Sequence, residues 1–471
     1  MEEQIIKALD IVNEPLGYVL LVILISCALL FTIRTRGVQF RMFFEMFRVS
    51  FGKKRKAGDG IGKEDPKHEI SPLQAFLVGL ATSIGSGNMA GVATAIAIGG
   101  PGSIFWMWMT ALLGSANSFV ECTLAQLFKV RAKDSFVGGP AYYITKGLKK
   151  KWFANIFAVT IILSFGLTQN LVQSNTISLA FSHAFGISPW VMAVSITVLA
   201  LIVVFGGIQR IAKVSGVIVP LMAVVYLSLA FFVLALNWRQ IPSVLWLIVD
   251  SAFGGRQVAG GMIGTAIMMG LKRGLFSNEA GEGSAPNAAA TATTTHPVKQ
   301  GLIHTLGVYI DTLVVCTCTA IIILCSGVWQ SGESGIELTQ LAIEEHIGSV
   351  GGIFVAISIF FFAFSSILGN SFYGESNVFF LIPNRPRMIL VYRVLLGVMT
   401  FCGALMTLDF AWGMLDLFMA IMTICNITAL FFLGKYTIRL LDDYIRQRRE
   451  GKNPVFHKET MPDIADELDA W

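Results

Sequence analysis

Apolar residues run along this chain in stretches long enough to cross a bilayer, separated by short polar segments. Residues 15–33 carry no charge at all, and at about 1.5 Å per helical residue such a length matches a hydrocarbon core about 30 Å thick. The pattern predicts about eleven helical spans, at roughly 15–33, 72–98, 101–128, 152–183, 188–208, 214–236, 245–275, 299–328, 350–380, 386–407 and 410–434. Arg256, Lys272 and Arg273 interrupt the seventh. The first span is long for a signal peptide, and its basic residues follow it instead of preceding it. The chain therefore reads as an all-α polytopic membrane protein.

Two stretches break the apolar pattern. One is Ser83-Ile84-Gly85-Ser86-Gly87-Asn88; the other runs from Phe276 through Asn278, Glu279, Glu282 and Ser284 to Pro286. Hydrocarbon offers no hydrogen bonds to loose backbone, so non-helical chain at that depth must line a cavity or lie inside protein. Spans two to six and seven to eleven form two sets of five, and an odd number per set inverts the second copy. Each break falls in the first span of its set, which points to a binding site between inverted repeats. The organisation expected is an extra helix with a basic loop (1–70), a first repeat (71–240), a second repeat (241–435) and a polar tail (436–471). Residues 40–51 mix Phe40, Phe43, Phe44 and Phe47 with Arg41 and Arg48, as an interfacial helix would.

Composition agrees. Of 471 residues, 54% are hydrophobic and 14% charged, where a soluble domain carries about 25% charged residues; mean hydropathy is +0.68. The net charge of +5 has a topological origin. Arg34, Arg36, Arg41, Arg48 and the lysines and arginines of the next segment (Lys53, Lys54, Arg55, Lys56, Lys63, Lys67) follow span one. Lys129, Arg131, Lys133, Lys146, Lys149, Lys150 and Lys151 follow span three. Arg210, Lys213, Lys272, Arg273, Lys299, Arg385, Arg387 and the tail residues Arg439, Arg446, Arg448 and Arg449 complete the set. With eleven spans all fall on one side, so the N-terminus is expected outside and the C-terminus in the cytoplasm. Charges that hug membrane ends suit anionic lipid and give no reason to expect nucleic acid. The seven cysteines all fall within spans without zinc-site spacing and read as apolar filler. No P-loop and no HExxH-type cluster is present, so neither ATP drive nor a metalloenzyme is supported.

The first break has chemistry of its own. A half-helix beginning at Ser86 and Gly87 directs N–H groups and the positive end of its dipole at the cavity, which suits a carboxylate. The half-helix ending at Ala81 to Ile84 leaves carbonyls that suit Na⁺ or an ammonium group. Glycines at 85, 87 and 91 also fit plain helix packing. In the second break Glu279 and Glu282 can orient the broken backbone, pair with Lys272 or Arg273, or sit in the cytoplasmic mouth; acidic groups at this depth signal function. Span nine carries Phe362-Ala363-Phe364-Ser365-Ser366, whose hydroxyls either bond back to their own helix or complete an all-oxygen site for a monovalent cation. Span four carries Gln169-Asn170-Leu171-Val172-Gln173-Ser174-Asn175, with Asn170 and Gln173 on one face, as interhelical glue or as substrate contact. Glu121 and Asp311 read as buried structural hydrogen-bonding groups.

The run Gly99-Gly100-Pro101-Gly102-Ser103-Ile104-Phe105-Trp106-Met107-Trp108-Met109 resembles the signature of the alanine-or-glycine:cation symporters, sodium–amino acid cotransporters of bacteria and archaea. Gly85-Ser86-Gly87-Asn88, Gly138-Gly139-Pro140, the stretch from Lys272-Arg273-Gly274 to Pro286, and Phe364-Ser365-Ser366 are similar too, so the resemblance covers nearly the whole chain. It implies a leucine-transporter-like five-plus-five inverted repeat preceded by one extra helix, in the plasma membrane, and import of a small neutral amino acid with Na⁺. No further cofactor and no obligate protein partner are expected. The resemblance places the ion at the carbonyls of Ala81, Ile84 and Phe362 and the hydroxyls of Ser365 and Ser366. It places the substrate at Ser83, Ser86, Gly87, Gln173, Phe276 and Asn278. Proton-driven relatives of the fold can put a lysine of the fifth core helix where sodium would sit; residues 214–236 contain none. Some alanine- or glycine-selective members have tryptophan where this chain has Asn370, and others have asparagine; the asparagine enlarges the pocket and keeps glutamine open as a substrate. Alanine or glycine is the first expectation, glutamine the second. A cation channel with residues 83–88 as its filter is the rival.

Overall fold

The computed structural model describes residues 2–51, 70–132, 136–254 and 260–471. The basic segment expected at 52–69, together with Lys133 and Arg256, lies outside the described residues. Among the described residues, strand is confined to the pairing of Val130–Arg131 with Phe136–Val137 and an isolated bridge; the rest of the regular structure is helical. Among the described residues, seven helices are long and apolar enough to cross a membrane, or eight spans if one bent pair is counted. They are Gln4–Arg34, Lys151–Phe185, Gly207–Leu236, Pro297–Ser326, Val350–Leu381, Pro386–Gly403 and Leu408–Arg449, with Pro72–Ser83 and Gly87–Gly99 as the pair. Gly102–Leu127, Pro189–Val204 and Gly260–Asn278 occupy the remaining expected spans. Gly102–Leu127 buries Asn117, Glu121, Thr123 and Gln126 on its inner face, which lowers its hydropathy without taking it out of the bundle.

The expected seventh span, 245–275, is not one helix. Ile241–Ala252 ends at Phe253, and Gly254 turns the chain at φ +82° before Gly260–Asn278 begins. Both pieces are apolar, so their hydropathy runs together. The end of Ile241–Ala252 seats on Gly102, where a Cβ would lie 2.6 Å from the backbone N of Ala252. The glycines of the 99–102 run thus serve helix contact: Gly100 takes φ +72° at the turn, and Gly102 admits a neighbouring backbone.

Several of the basic residues expected on one side meet one another or the tail. Arg36 and Arg41 line a cleft with Arg446 and Arg449, Arg448 pairs with Glu45 at 3.1 Å, and Lys146 and Lys149 meet Asp469 and Glu467 of the tail at 2.6 and 3.2 Å. Lys272 and Arg273 do not join them. They belong to the Gly260–Asn278 helix and each lies 3.4 Å from Asp416 Oδ2; the Lys272 chain packs over Gly17 of the first helix. Their charge is matched inside the bundle by a carboxylate, so they do not belong with the loop charges as the sequence pattern suggests.

The stretch 40–51 forms two short helices, Val38–Arg41 and Phe43–Phe51. Met46 is buried against the bundle, while Phe44, Phe47 and Phe51 are exposed, the two-sided pattern of an interfacial segment.

Candidate functional site

The first break releases two carbonyls. In an unbroken helix the N–H of Gly85 would return to Ala81 and that of Ser86 to Thr82. Here the Gly85 N–H donates to Asn88 Oδ1 at 2.9 Å and the Ser86 N–H to Gln173 Oε1 at 3.0 Å. The chain bends by 46° between Pro72–Ser83 and Gly87–Gly99. The freed carbonyls face the Val350–Leu381 helix. Ser366 Oγ lies 2.9 Å from Ala81 O, 3.1 Å from Thr82 O and 3.2 Å from Phe362 O. Ser365 Oγ donates to Phe362 O at 2.8 Å and lies 3.4 Å from Ala81 O. Two hydroxyl protons thus face three carbonyls, all buried. Such a surplus of buried oxygen lone pairs fits a hard monovalent cation. Thr82 O was not among the expected ligands; it enters because Gln173 takes the Ser86 N–H. Ile84 ends the half-helix with its N–H on Leu80 O, and among the described residues no hydrogen bond joins it to either serine. The residue of the Gly207–Leu236 helix that reaches this cluster is Met222, with Sδ 3.9 Å from Ser365 Oγ; no lysine takes that place.

The expected substrate residues divide in two. Among the described residues, Ser86 Oγ and Asn370 Oδ1 are buried with no hydrogen-bond partner, and buried polar atoms ordinarily have one. Gly87 and Phe276 are in direct contact: a Cβ on Gly87 would lie 2.9 Å from Phe276 Cδ1. Phe276 stacks edge-on with Trp412 at 4.5 Å between centroids. Asn370 Nδ2 donates to Asn170 Oδ1 at 3.3 Å, so Asn170 and Gln173 both reach across from Gln169–Phe185 to the centre. Two others are committed elsewhere. Ser83 Oγ donates to Gly79 O at 3.1 Å. Asn278 Oδ1 accepts the Ala280 N–H at 3.0 Å and its Nδ2 donates to Thr312 at 3.2 Å, which caps the broken helix. Of the remaining amides, Asn175 donates to Gly403 O and Met406 O and is interhelical glue.

The second break, from Glu279 to Ser284, is held by a residue whose sequence context marks it only as structural. Glu121 Oε1 accepts the N–H of Gly281 and Oε2 that of Gly283, both at 3.1 Å, and Oε2 also accepts Asn426 Nδ2 at 2.8 Å. Gly281 and Gly283 have φ +93° and +89°, a backbone that only glycine adopts without strain. Glu279 accepts from Ser284 Oγ, and neither it nor Glu282 lies in an exposed mouth; both are fully buried. Asp311 ties the breaks together. Its carboxylate accepts Asn88 Nδ2 of the first at 2.6 Å and Ser277 Oγ, beside the second, at 2.7 Å. No local sequence signal marks this pairing, because the partners are 223 and 34 residues away. Glu121→Ala would leave the buried N–H groups of Gly281 and Gly283 without an acceptor, at about 1 kcal/mol or more each, while Asn426 Nδ2 would keep only Gly281 O. The expected result is a lower melting temperature and poor yield in detergent, and an unchanged melting curve would refute the role.

These features, a broken helix with freed carbonyls, a hydroxyl pair facing them and a second broken helix packed against the first, can be compared with known proteins. The sodium:alanine symporter family matches residues 2–458. This chain belongs to that family. Its members are membrane transporters and not enzymes, and Na⁺ is their coupling ion. A probable sodium/glutamine symporter, GlnT of Bacillus subtilis (strain 168), is 48% identical over 463 residues, covering 98% of this chain and 95% of its own. The amino-acid carrier protein AlsT of the same organism is 46% identical over 458 residues, covering 97% and 96%. Among solved structures, a Na⁺-coupled sialic acid symporter in its substrate-bound outward-open state aligns with a TM-score of 0.54 at 15% identity, covering 96% of this chain and 97% of its own. That likeness speaks to the fold, which is leucine-transporter-like, as the resemblance implied.

Proposed function

We propose that the chain is a Na⁺-coupled importer of a neutral amino acid, working by alternating access about the cavity between the two breaks. The observation that carries the reading is Ser366 Oγ among the carbonyls of Ala81, Thr82 and Phe362. Na⁺ sits there with Ser365, and Ile84 turns its carbonyl inward when the ion binds. The amino acid's carboxylate lies at Ser86 and Gly87, with Gln173, Phe276 and Asn370 around the rest; Ser83 and Asn278 join only by giving up their present partners. Na⁺ stabilises the outward-open state that receives substrate. The N-terminus lies outside, the C-terminus in the cytoplasm, and the repeats divide near residue 240.

For substrate we place glutamine ahead of alanine and glycine. The Asn370 carbonyl oxygen has no partner among the described residues, and its Nδ2 donates to Asn170 Oδ1, a pair suited to a carboxamide side chain; the relative at 48% identity is named for glutamine. Alanine or glycine would leave that oxygen unpaired, a penalty of about 1–3 kcal/mol.

Uptake of radiolabelled glutamine, alanine and glycine into proteoliposomes, with and without an inward Na⁺ gradient, tests both levels. Accumulation above the external concentration only with Na⁺ supports symport; current without amino acid would instead favour a channel. Asn370→Trp should cut glutamine uptake at least tenfold and spare alanine. Equal loss of all three would remove Asn370 from selectivity.

A further inference from the structure

The inner ends of the two broken helices are joined and then clasped by the tail. Ile70, just before the first broken helix, pairs with Ala292, just after the second, and the Thr293 N–H donates to Ile70 O at 3.0 Å. Gln126 and Lys129, at the end of the Gly102–Leu127 helix, hold the same turn. Gln126 Nε2 donates to Ala292 O at 3.0 Å and to Ala289 O, and Lys129 Nζ donates to Ala292 O at 2.8 Å.

The tail covers these contacts. Trp471 Nε1 donates to Gln126 O at 3.0 Å, and Lys129 Nζ lies 5.0 Å from the centre of the Trp471 ring. The Phe456 N–H donates to Thr295 O at 2.8 Å, and Thr295 Oγ1 donates to Pro454 O at 2.9 Å. Phe456, Met461, Ile464 and Leu468 are buried, although the tail is polar overall. A segment whose sequence shows no chemistry is thus packed onto the point where both broken helices meet.

We propose that residues 454–471 are a latch on the inner gate, and that Gln126 and Lys129 are the positioning residues it acts through. An inward opening that moves the Ala289–Ala292 turn away from Ile70 has first to free that turn from Gln126 and Lys129, on a helix end that the tail covers. Release of the tail therefore favours the inward-open state. The inference rests on the transport reading for its purpose, but its contacts do not depend on it.

The test uses an Ala292→Cys reporter in the full-length protein, exposed to a membrane-impermeant maleimide without Na⁺ or amino acid and read by peptide mass spectrometry. Adding Trp471→Ala should speed labelling at position 292 about tenfold while native Cys122, fully buried, stays unlabelled. Gln126→Ala should do the same with the tail intact. Labelling at 292 unchanged in both variants overturns the latch. If Trp471→Ala labels Cys122 as well, the protein has unfolded and the decision passes to Trp471→Phe, which keeps an aromatic ring and removes the donor to Gln126. Faster labelling at 292 alone then supports the latch, and an unchanged rate overturns it. Uptake measured in parallel keeps the two readings apart: faster labelling in a protein that shows no Na⁺-driven uptake would leave the latch standing and remove the symporter.

Discussion

Ser366→Ala will weaken Na⁺ binding by roughly ten- to a hundredfold and shift the Na⁺ dependence of uptake by the same factor. The hydroxyl lies within 3.2 Å of three buried carbonyls, and two of these have no helical donor because the break has turned Gly85 and Ser86 elsewhere. An interaction of a polar group with a charge is worth about 1.5–3 kcal/mol, and about 1.4 kcal/mol is a factor of ten. Folding should survive, since alanine suits the helix and the Ser365 hydroxyl remains. Ser365→Ala should have the smaller effect, because Ser365 approaches the freed Ala81 carbonyl only at 3.4 Å. Sodium titrations of uptake, or Na⁺-induced protection against heat, read the shift directly. A variant with the same half-saturating Na⁺ as the parent would take Ser366 out of the ion site.

Gly85→Ala and Gly87→Ala will each abolish measurable transport, whereas Gly91→Ala will keep most of it. The three glycines look alike in the sequence, but their surroundings differ. A Cβ on Gly85 would fall well inside contact distance of Ser366 Oγ and 3.1 Å from Gln173 Oε1, so it displaces the proposed ion ligand and the amide that accepts the Ser86 N–H. On Gly87 it would meet Phe276 at 2.9 Å and the backbone of Ser277 at 3.1 Å, closing the space between the two breaks. On Gly91 the nearest atoms are 3.9 Å away, an ordinary van der Waals separation. Overpacking of this kind costs typically 1–3 kcal/mol, which a protein of this size should tolerate in folding, so the loss should appear in uptake and not in yield. Equal activity of all three variants would mean that these glycines serve helix packing and nothing more.

Hydropathy and residue type locate the site, while distance across the bundle assigns the jobs. The Ser83–Asn88 break and the Ser365–Ser366 pair are legible locally, because loose backbone and clustered polar groups at membrane depth are costly unless they line a cavity or meet a partner. Thr82 is invisible as a carbonyl source, since any residue has a carbonyl and only the diversion of the Ser86 N–H to Gln173 frees this one. Asn278 has the residue type of a substrate contact, and only the packed helices show its side chain bonded to the Ala280 N–H and Thr312. Lys272 and Arg273 have the spacing of loop charges, yet Asp416, more than 140 residues away, lies beside them.

By itself the sequence determined that the chain spans a membrane, that its helices are broken at two places, and which small and polar residues stand at each break. Those properties follow from composition and from periodicity along a single helix, where neighbours in sequence are neighbours in space. Only the tertiary structure decided that 241–275 is two helices, that Glu121 holds the broken backbone and Asp311 joins the Asn88 and Ser277 side chains, and that the tail packs against Gln126 and Thr295. Each of these depends on contacts between segments distant in the chain, and the hydrogen-bonding needs of a buried polar group do not reveal which partner will meet them until the helices are packed.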